Sequence, residues 1–379
     1  MKFEDAHLKL RTLFLLPGNL FSITGPTINL QNSYIIKNMN TPRSFPDSHI
    51  ALAHGNGGRF MRELIETLFA HHLGNELLDT HVDAARLPIE IGSGEIMVTT
   101  DGFTVEPLEF PGGNIGSLAV HGTVNDLAVS GATPLYLTLS AFIEEGLEVA
   151  VLDRVLESMA QACRDSNVRV VAGDTKVLRR GQGGGIYFTT TGIGLRSSHL
   201  QLGVEQIRPG DSILLSGSVG DHGTAVLLAR EQFGLSGELK SDSASVFPIT
   251  QALVEIPGLR FMRDPTRGGI ATVAHEIANA TGTTVHLNES RIPVLDPVRA
   301  VCDMLGYDPL YLASEGRVVA VLDPASAKLA LSRLQSLGYS DAAIIGTVNS
   351  GRSRVVLETE LGGERILAEL EDDPLPRIC

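Results

Sequence analysis

Apolar residues recur at helical spacing in Phe60, Met61, Leu64, Ile65, Leu68 and Phe69, predicting an amphipathic helix entered directly from His54-Gly55-Asn56-Gly57-Gly58. The same periodicity, in Leu152, Val155, Leu156, Met159 and Cys163 and again in Val298, Val301, Cys302 and Leu305, predicts two more helices with a thiol on each buried face. A helix over 116–130 carries Leu118, Val124, Leu127 and Ala128. Short β-rich runs alternate with these helices. One, over 96–100, ends at Asp101-Gly102, a second, over 169–172, ends at Gly173-Asp174, and 185–194 is rich in Ile, Tyr, Phe and Thr. Arg208-Pro209-Gly210-Asp211 is a turn signal before the apolar run 213–215, and a second α/β half follows it. There, helices are predicted near 222–232, 269–281 and 325–337, with strands at 318–322, 343–348 and 354–358. This organisation gives a 50–207 domain, a 208–350 domain and a 351–379 segment. Residues 1–49 show no sustained period, as in a flexible arm or an extension upstream of a start at Met39.

Composition narrows the class. With 379 residues and 43% hydrophobic side chains, the chain can bury two cores. Its 40 glycines imply many tight turns and close backbone approaches. A net charge of −14 argues against nucleic acid or an acidic membrane as partner, and no apolar run is long enough to span a bilayer. Cys163, Cys302 and Cys379 are far apart, which suits a reducing cytoplasm rather than a disulfide framework.

Candidate chemistry gathers at the punctuation between elements. Asp101, Asp126 and Asp174 each stand at a junction, and three carboxylates on one edge would suit Mg²⁺ bridging nucleotide phosphates, although each also fits a cap or turn. Gly55, Asn56, Gly57 and Gly58 can offer backbone N–H groups and a helix N-terminus to phosphate, or form an ordinary turn. Lys176, two residues beyond Asp174, can hold a transferring phosphoryl group, and Arg267 can clamp phosphate or sit in a helix-capping turn. Glu315 is a candidate base or a partner for Arg317, with His121 and His222 as alternative proton carriers.

The chain ends in Glu371-Asp372-Asp373-Pro374-Leu375-Pro376-Arg377-Ile378-Cys379, an acidic arm stiffened by two prolines. Extended, nine residues span about 28 Å, enough to carry a sulfur from the surface into a cleft. The carboxylate beside Cys379 should raise its thiol pKa, with Arg377 opposing, so this cysteine fits a carrier better than a reactive nucleophile.

His54 to Gly58, Thr100-Asp101, 110–116, Asn125 to Ala132, 172–176, 220–223, 264–269, Ser314-Glu315-Gly316 and the closing Pro376-Arg377-Ile378-Cys379 together resemble the HypE family of hydrogenase maturation proteins. The likeness runs from about residue 50 to the end, in order. Related enzymes of the superfamily, aminoimidazole ribonucleotide synthetase, selenophosphate synthetase and thiamine-monophosphate kinase, lack the cysteine-terminated tail.

The resemblance implies an α/β, PurM-like two-domain fold, with N-terminal sheets of two subunits pairing into a homodimer and a flexible C-terminal tail. It also implies ATP-dependent dehydration of a carbamoyl group on Cys379 to a thiocyanate, which supplies the cyanide ligand of a [NiFe]-hydrogenase iron. The implied partners are a HypF-type carbamoyltransferase and a HypC–HypD complex. By the same resemblance Cys379, Glu315 and Lys176 take part in the reaction. Gly55, Asn56, Gly57, Gly58, Asp101, Asn125, Asp126, Asp174 and Arg267 would bind ATP, and Asp101, Asp126 and Asp174 the Mg²⁺. Two other readings stay open, an ATP-dependent ligase or kinase of the superfamily acting on a free small molecule, and a non-catalytic carrier that presents Cys379.

Overall fold

The computed structural model describes residues 45–55, 59–78, 80, 87, 89, 92, 94–231, 239–370, 375 and 378–379, all within one compact unit, Arg43–Cys379. The loop positions 56–58 and tail positions 371–374 and 376–377 lie outside the described residues, as does nearly all of the 1–49 segment. Its last residues do belong to the fold. Ile50 is buried, its N–H donates to Leu147 O, and the Val149 N–H donates to Ser48 O.

The predicted first helix forms as α1 (Arg59–Leu64), a π turn (Ile65–Phe69) and α2 (Ala70–Leu73). A four-stranded sheet follows, built from β1 (Gly94–Phe103), β4 (Thr133–Glu144), β5 (Arg169–Leu178) and β6 (Ile186–Ser197) in the order β1-β6-β4-β5. The hairpin β2 (Glu109–Phe110) and β3 (Gly113–Asn114) leads into α3 (Ile115–Val129), and α4 (Val149–Asp165) joins β4 to its parallel neighbour β5.

Two strands outrun their predicted ends. β1 continues through Asp101 because its pairing with β6 extends to Phe103↔Phe188, and β5 continues through Asp174 and Lys176 because its pairing with β4 extends to Glu144↔Leu178. Both junctions read from glycine are therefore ladder positions. A ladder can carry a glycine where neighbouring strands supply the hydrogen bonds.

The second half contains β7 (Ser212–Leu215), α5 (Asp221–Glu231), α6 (Phe247–Val254), β8 (Leu259–Arg263), α7 (Gly269–Thr281), β9 (Thr284–Asn288) and α8 (Asp296–Leu305). It closes with β10 (Val319–Leu322), α9 (Pro324–Ser336), β11 (Ala343–Asn349), β12 (Arg354–Glu358) and β13 (Glu364–Ile366). Its seven-stranded sheet runs β13-β12-β9-β11-β7-β10-β8, antiparallel except for β12 against β9.

The turn at 208–211 separates the strands of the two sheets but not their cores. Ile115, Leu118 and Val124 of α3 pack in one cluster with Leu152 and Phe188, and that cluster also takes Val226, Val298 and Leu312 of the second half. Ala128 and Val129, at the other end of α3, pack with Leu214, Met262 and Val318. α3 is apolar nearly all round because it is covered on every side. Cys163 and Cys302 are core residues, as their helical spacing predicts, and burial pushes their thiols up to about 12 and about 11.

Candidate active site

Acidic groups from both halves meet beside the end of α3. Thr99 and Asp101 share the β1 face that looks toward α3, and Thr99 Oγ1 donates to Asp126 Oδ2 at 2.8 Å. From the second half come Asp264, directly after β8, and Arg267, in the turn before α7, whose Nη2 lies 3.6 Å from Asp101 Oδ1. Burial raises the Asp126 carboxyl above the ordinary range, with Asp101 adding to it. Burial, and then the Asp126 charge, pushes Asp264 to about 7. Carboxylates crowded this way are short of a cation.

Glu315 stands four residues before the start of β10, 2% exposed, and its Oε1 has no hydrogen-bond partner among the described residues. Its backbone is held firmly: Asp242 accepts from the N–H groups of Glu315 and Gly316, both at 3.1 Å. Position 316 must be glycine, since a Cβ there would stand 1.9 Å from Asp242 O. Burial raises the Glu315 carboxyl well above its ordinary value, and Asp264, Asp242, Asp101 and Asp126 push the same way. Arg317 does not pair with it. That guanidinium goes to Asp221 at 3.1 Å and lies 3.6 Å from Asp242.

The end of the chain enters this cleft. Leu375 and Ile378 are buried in the same cluster as α3, and Cys379 lies within electrostatic reach of Arg267. The thiol is pushed up to about 12, by burial first and by Glu315 next, with Arg267 opposing. The direction is the one expected from the sequence, but its causes are the cleft rather than the residue's own carboxylate and Arg377, which lies outside the described residues. His222 Nε2 donates to Ile378 O at 2.7 Å, so its Nδ1 accepts from Ser241 Oγ at 2.8 Å. Burial pushes His222 down to about 4, so the ring stays neutral in that tautomer.

Not every candidate joins. Asp101, Thr190, Leu139 and Gly173 are aligned across the small sheet, which puts β5 three strand spacings, about 14 Å, from Asp101. Asp174 and Lys176 also alternate onto the opposite face, where they pair with each other at 3.2 Å. Gly55 lies on that strand, since a Cβ there would stand 2.7 Å from Val177 N, while Asn56, Gly57 and Gly58 fall outside the described residues. The expected trio of Asp101, Asp126 and Asp174 is thus not assembled within one chain. The expectation failed because strand continuation through Gly173 reverses the geometry that a turn would have given.

Asn125 is likewise committed elsewhere. Its amide donates to Ala244 O and Glu315 O and accepts from Val246 N, tying α3 to the segment before α6 and leaving no polar atom for a nucleotide. His121 is engaged with Ser243.

Three functional groups escaped the sequence reading. Asp264 was visible only as part of a polar turn, and Asp242 sits in Ser241-Asp242-Ser243-Ala244-Ser245, a stretch that reads as a loop. His222 was read only as an alternative proton carrier, not in the role it has against the tail. Only the long-range contacts to Glu315 and Ile378 assign them one.

Among the described residues no group of three acidic, histidine or cysteine side chains converges tightly enough to enclose a metal ion. Mg²⁺ commonly takes one or two carboxylates and completes its shell with phosphates and water. The crowded Asp101–Asp126 pair, with neighbouring Asp264 pushed up to about 7, fits an ion that arrives with a nucleotide.

Two family models match the chain: AIR synthase related protein, N-terminal domain, over residues 81–196, and AIR synthase related protein, C-terminal domain, over 208–358. Carbamoyl dehydratase HypE of Azotobacter vinelandii is 46% identical over 333 residues, covering 87% of this chain and 97% of that protein. A crystal structure of hydrogenase maturation protein HypE in complex with ATP superposes with a TM-score of 0.82 at 44% identity, over 86% of this chain and 99% of the other. The HypE chain of a HypE–HypF complex gives a TM-score of 0.70 at 41% identity, over 82% and 99%.

Proposed function

The chain belongs to the HypE family of carbamoyl dehydratases, and on that premise we propose that it uses ATP to dehydrate an S-carboxamide on its own Cys379 to a thiocyanate in hydrogenase maturation. The observation that carries this reading is the docking of Ile378 and Cys379 into the acidic cleft, where His222 and Thr104 hold their carbonyl oxygens and Glu315 and Arg267 act on the thiol. The carboxamide is made by a HypF-type carbamoyltransferase acting on the C-terminal cysteine, and the cyanide is passed to a HypC–HypD complex carrying the hydrogenase iron. A relative solved with HypF supports the first partner.

A carboxamide oxygen is a poor leaving group, and ATP supplies the phosphoryl group that makes it a good one. The chemistry then needs two N–H protons removed, one as the oxygen is phosphorylated and one as phosphate departs and the C≡N bond forms. Glu315 is the base for that nitrogen. Its unpartnered Oε1 faces no competing donor among the described residues, and the environment that raises its pKa makes its ionised form a stronger acceptor. Arg267 orients the sulfur end and offsets negative charge arriving beside Asp101. Asp101 and Asp126 would hold the Mg²⁺ that accompanies the nucleotide phosphates. The sulfur stays bonded to carbon throughout, so a thiol held neutral costs nothing.

The small sheet also has a face suited to a second copy. Ile96 and Val98 on β1 are 44% and 63% exposed, and Phe142 of β4 lies on the same face beside Lys176. We take this face as the homodimer interface. Pairing there would place Asp174, Lys176 and the Gly55 loop of one subunit to serve the nucleotide bound by the other.

The test is mass spectrometry of the C-terminal peptide after incubation with a HypF-type carbamoyltransferase, carbamoyl phosphate and ATP. The expected result is ATP-dependent loss of one water from carbamoylated Cys379. A carbamoylated peptide that persists with ATP present refutes the reaction.

A further inference from the structure

The last two residues are held by their backbones as well as by their side chains. His222 Nε2 donates to Ile378 O at 2.7 Å. One residue later, the Thr104 N–H and Thr104 Oγ1 both donate to Cys379 O, at 3.3 and 3.4 Å. Ile378 is 3% exposed. Side-chain burial alone would tolerate a slip of the tail along the groove. Two backbone acceptors caught by donors on opposite walls, β1's exit and the start of α5, do not.

We propose that Thr104 and His222 are positioning residues that form a seat for the backbone of Ile378 and Cys379 and fix the register at which the cysteine enters the acidic cleft. The inference deepens the dehydration reading and rests on it for its catalytic consequence. The connection to the base is physical. Ser241 donates to His222 Nδ1, and the next residue, Asp242, holds the Glu315 and Gly316 backbones. One short segment therefore braces both the seat and the base.

The seat is tested with the full-length protein in two ways. Without any partner, Cys379 is alkylated with iodoacetamide and the C-terminal peptide is followed by mass spectrometry. His222→Ala is expected to react about tenfold faster than wild type, as befits loss of one buried hydrogen bond. His222→Gln, whose Nε2 can still reach the Ile378 carbonyl, recovers most of the protection, which loss of a merely structural residue would not allow. Thr104→Val leaves the body of the fold in place and also accelerates alkylation. In single-turnover dehydration of carbamoylated protein, the same variants slow water loss with ATP affinity unchanged. Equal alkylation rates in wild type, His222→Ala and Thr104→Val overturn the seat. If carbamoylated wild type loses no water, the reaction itself is refuted, while the alkylation ratios still decide for or against the seat.

Discussion

At the scale of single residues, Glu315 carries the sharpest expectation. Its carboxyl titrates above the ordinary 4.5, so the limb of the pH profile that reports its ionisation moves upward from the usual carboxylate range. Single-turnover dehydration should rise with pH through that higher value, and Glu315→Gln should lose about 10²- to 10⁴-fold. Stability should respond in the opposite sense. A group whose folded pKa is raised binds its proton more tightly when folded, so its stabilising effect is complete below 4.5 and is lost as pH climbs through the folded value. Glu315→Gln has no such loss, and thermal melts should show its Tm advantage over wild type growing by a few degrees from pH 5 to pH 8. A constant difference across that range would mean Glu315 is not held protonated. Asp264, pushed to about 7 by the same burial, contributes in the same direction.

Glu315 and Arg267 were legible because polar residues inside Gly-flanked motifs stand out against the apolar strands around them. Asp264, Asp242 and His222 were not, because their significance lies in partners 50 or more positions away, to which no local period points.

At the scale of elements, periodicity carried most of the fold. The helix predicted at 269–281 is α7, the strand at 354–358 is β12, and the buried thiols at 163 and 302 follow from helical spacing alone. What it could not give was the continuation of β1 and β5 past their glycines, which depends on neighbouring strands. That miss matters, because it moved Asp174 and Lys176 to the other face of the sheet. It also yields a test of the two-chain site. Lys176→Ala and Glu315→Gln chains, each inactive alone, should regain about a quarter of wild-type dehydration when co-expressed, since half the dimers are mixed and each has one intact site. No recovery would put Lys176 to work within its own chain, or nowhere.

At the scale of the whole molecule, the exposed apolar residues of β1 predict how copies associate. Val98→Lys, placing a charge on a residue 63% exposed in the single chain, should shift the dimer to monomer in light scattering without lowering the Tm of the monomeric fold. A dimer that survives this change would have to use another surface.

One feature of the architecture limits how such an enzyme can work. α3 begins in the core of the small sheet and ends in the core of the large one, so the two halves cannot swing apart without tearing a buried helix from one of them. Many enzymes that exclude water do so by closing one lobe over another. Here the lobes are fused, so whatever shields the reacting sulfur from water has to be built into the standing walls of the cleft rather than delivered by closure.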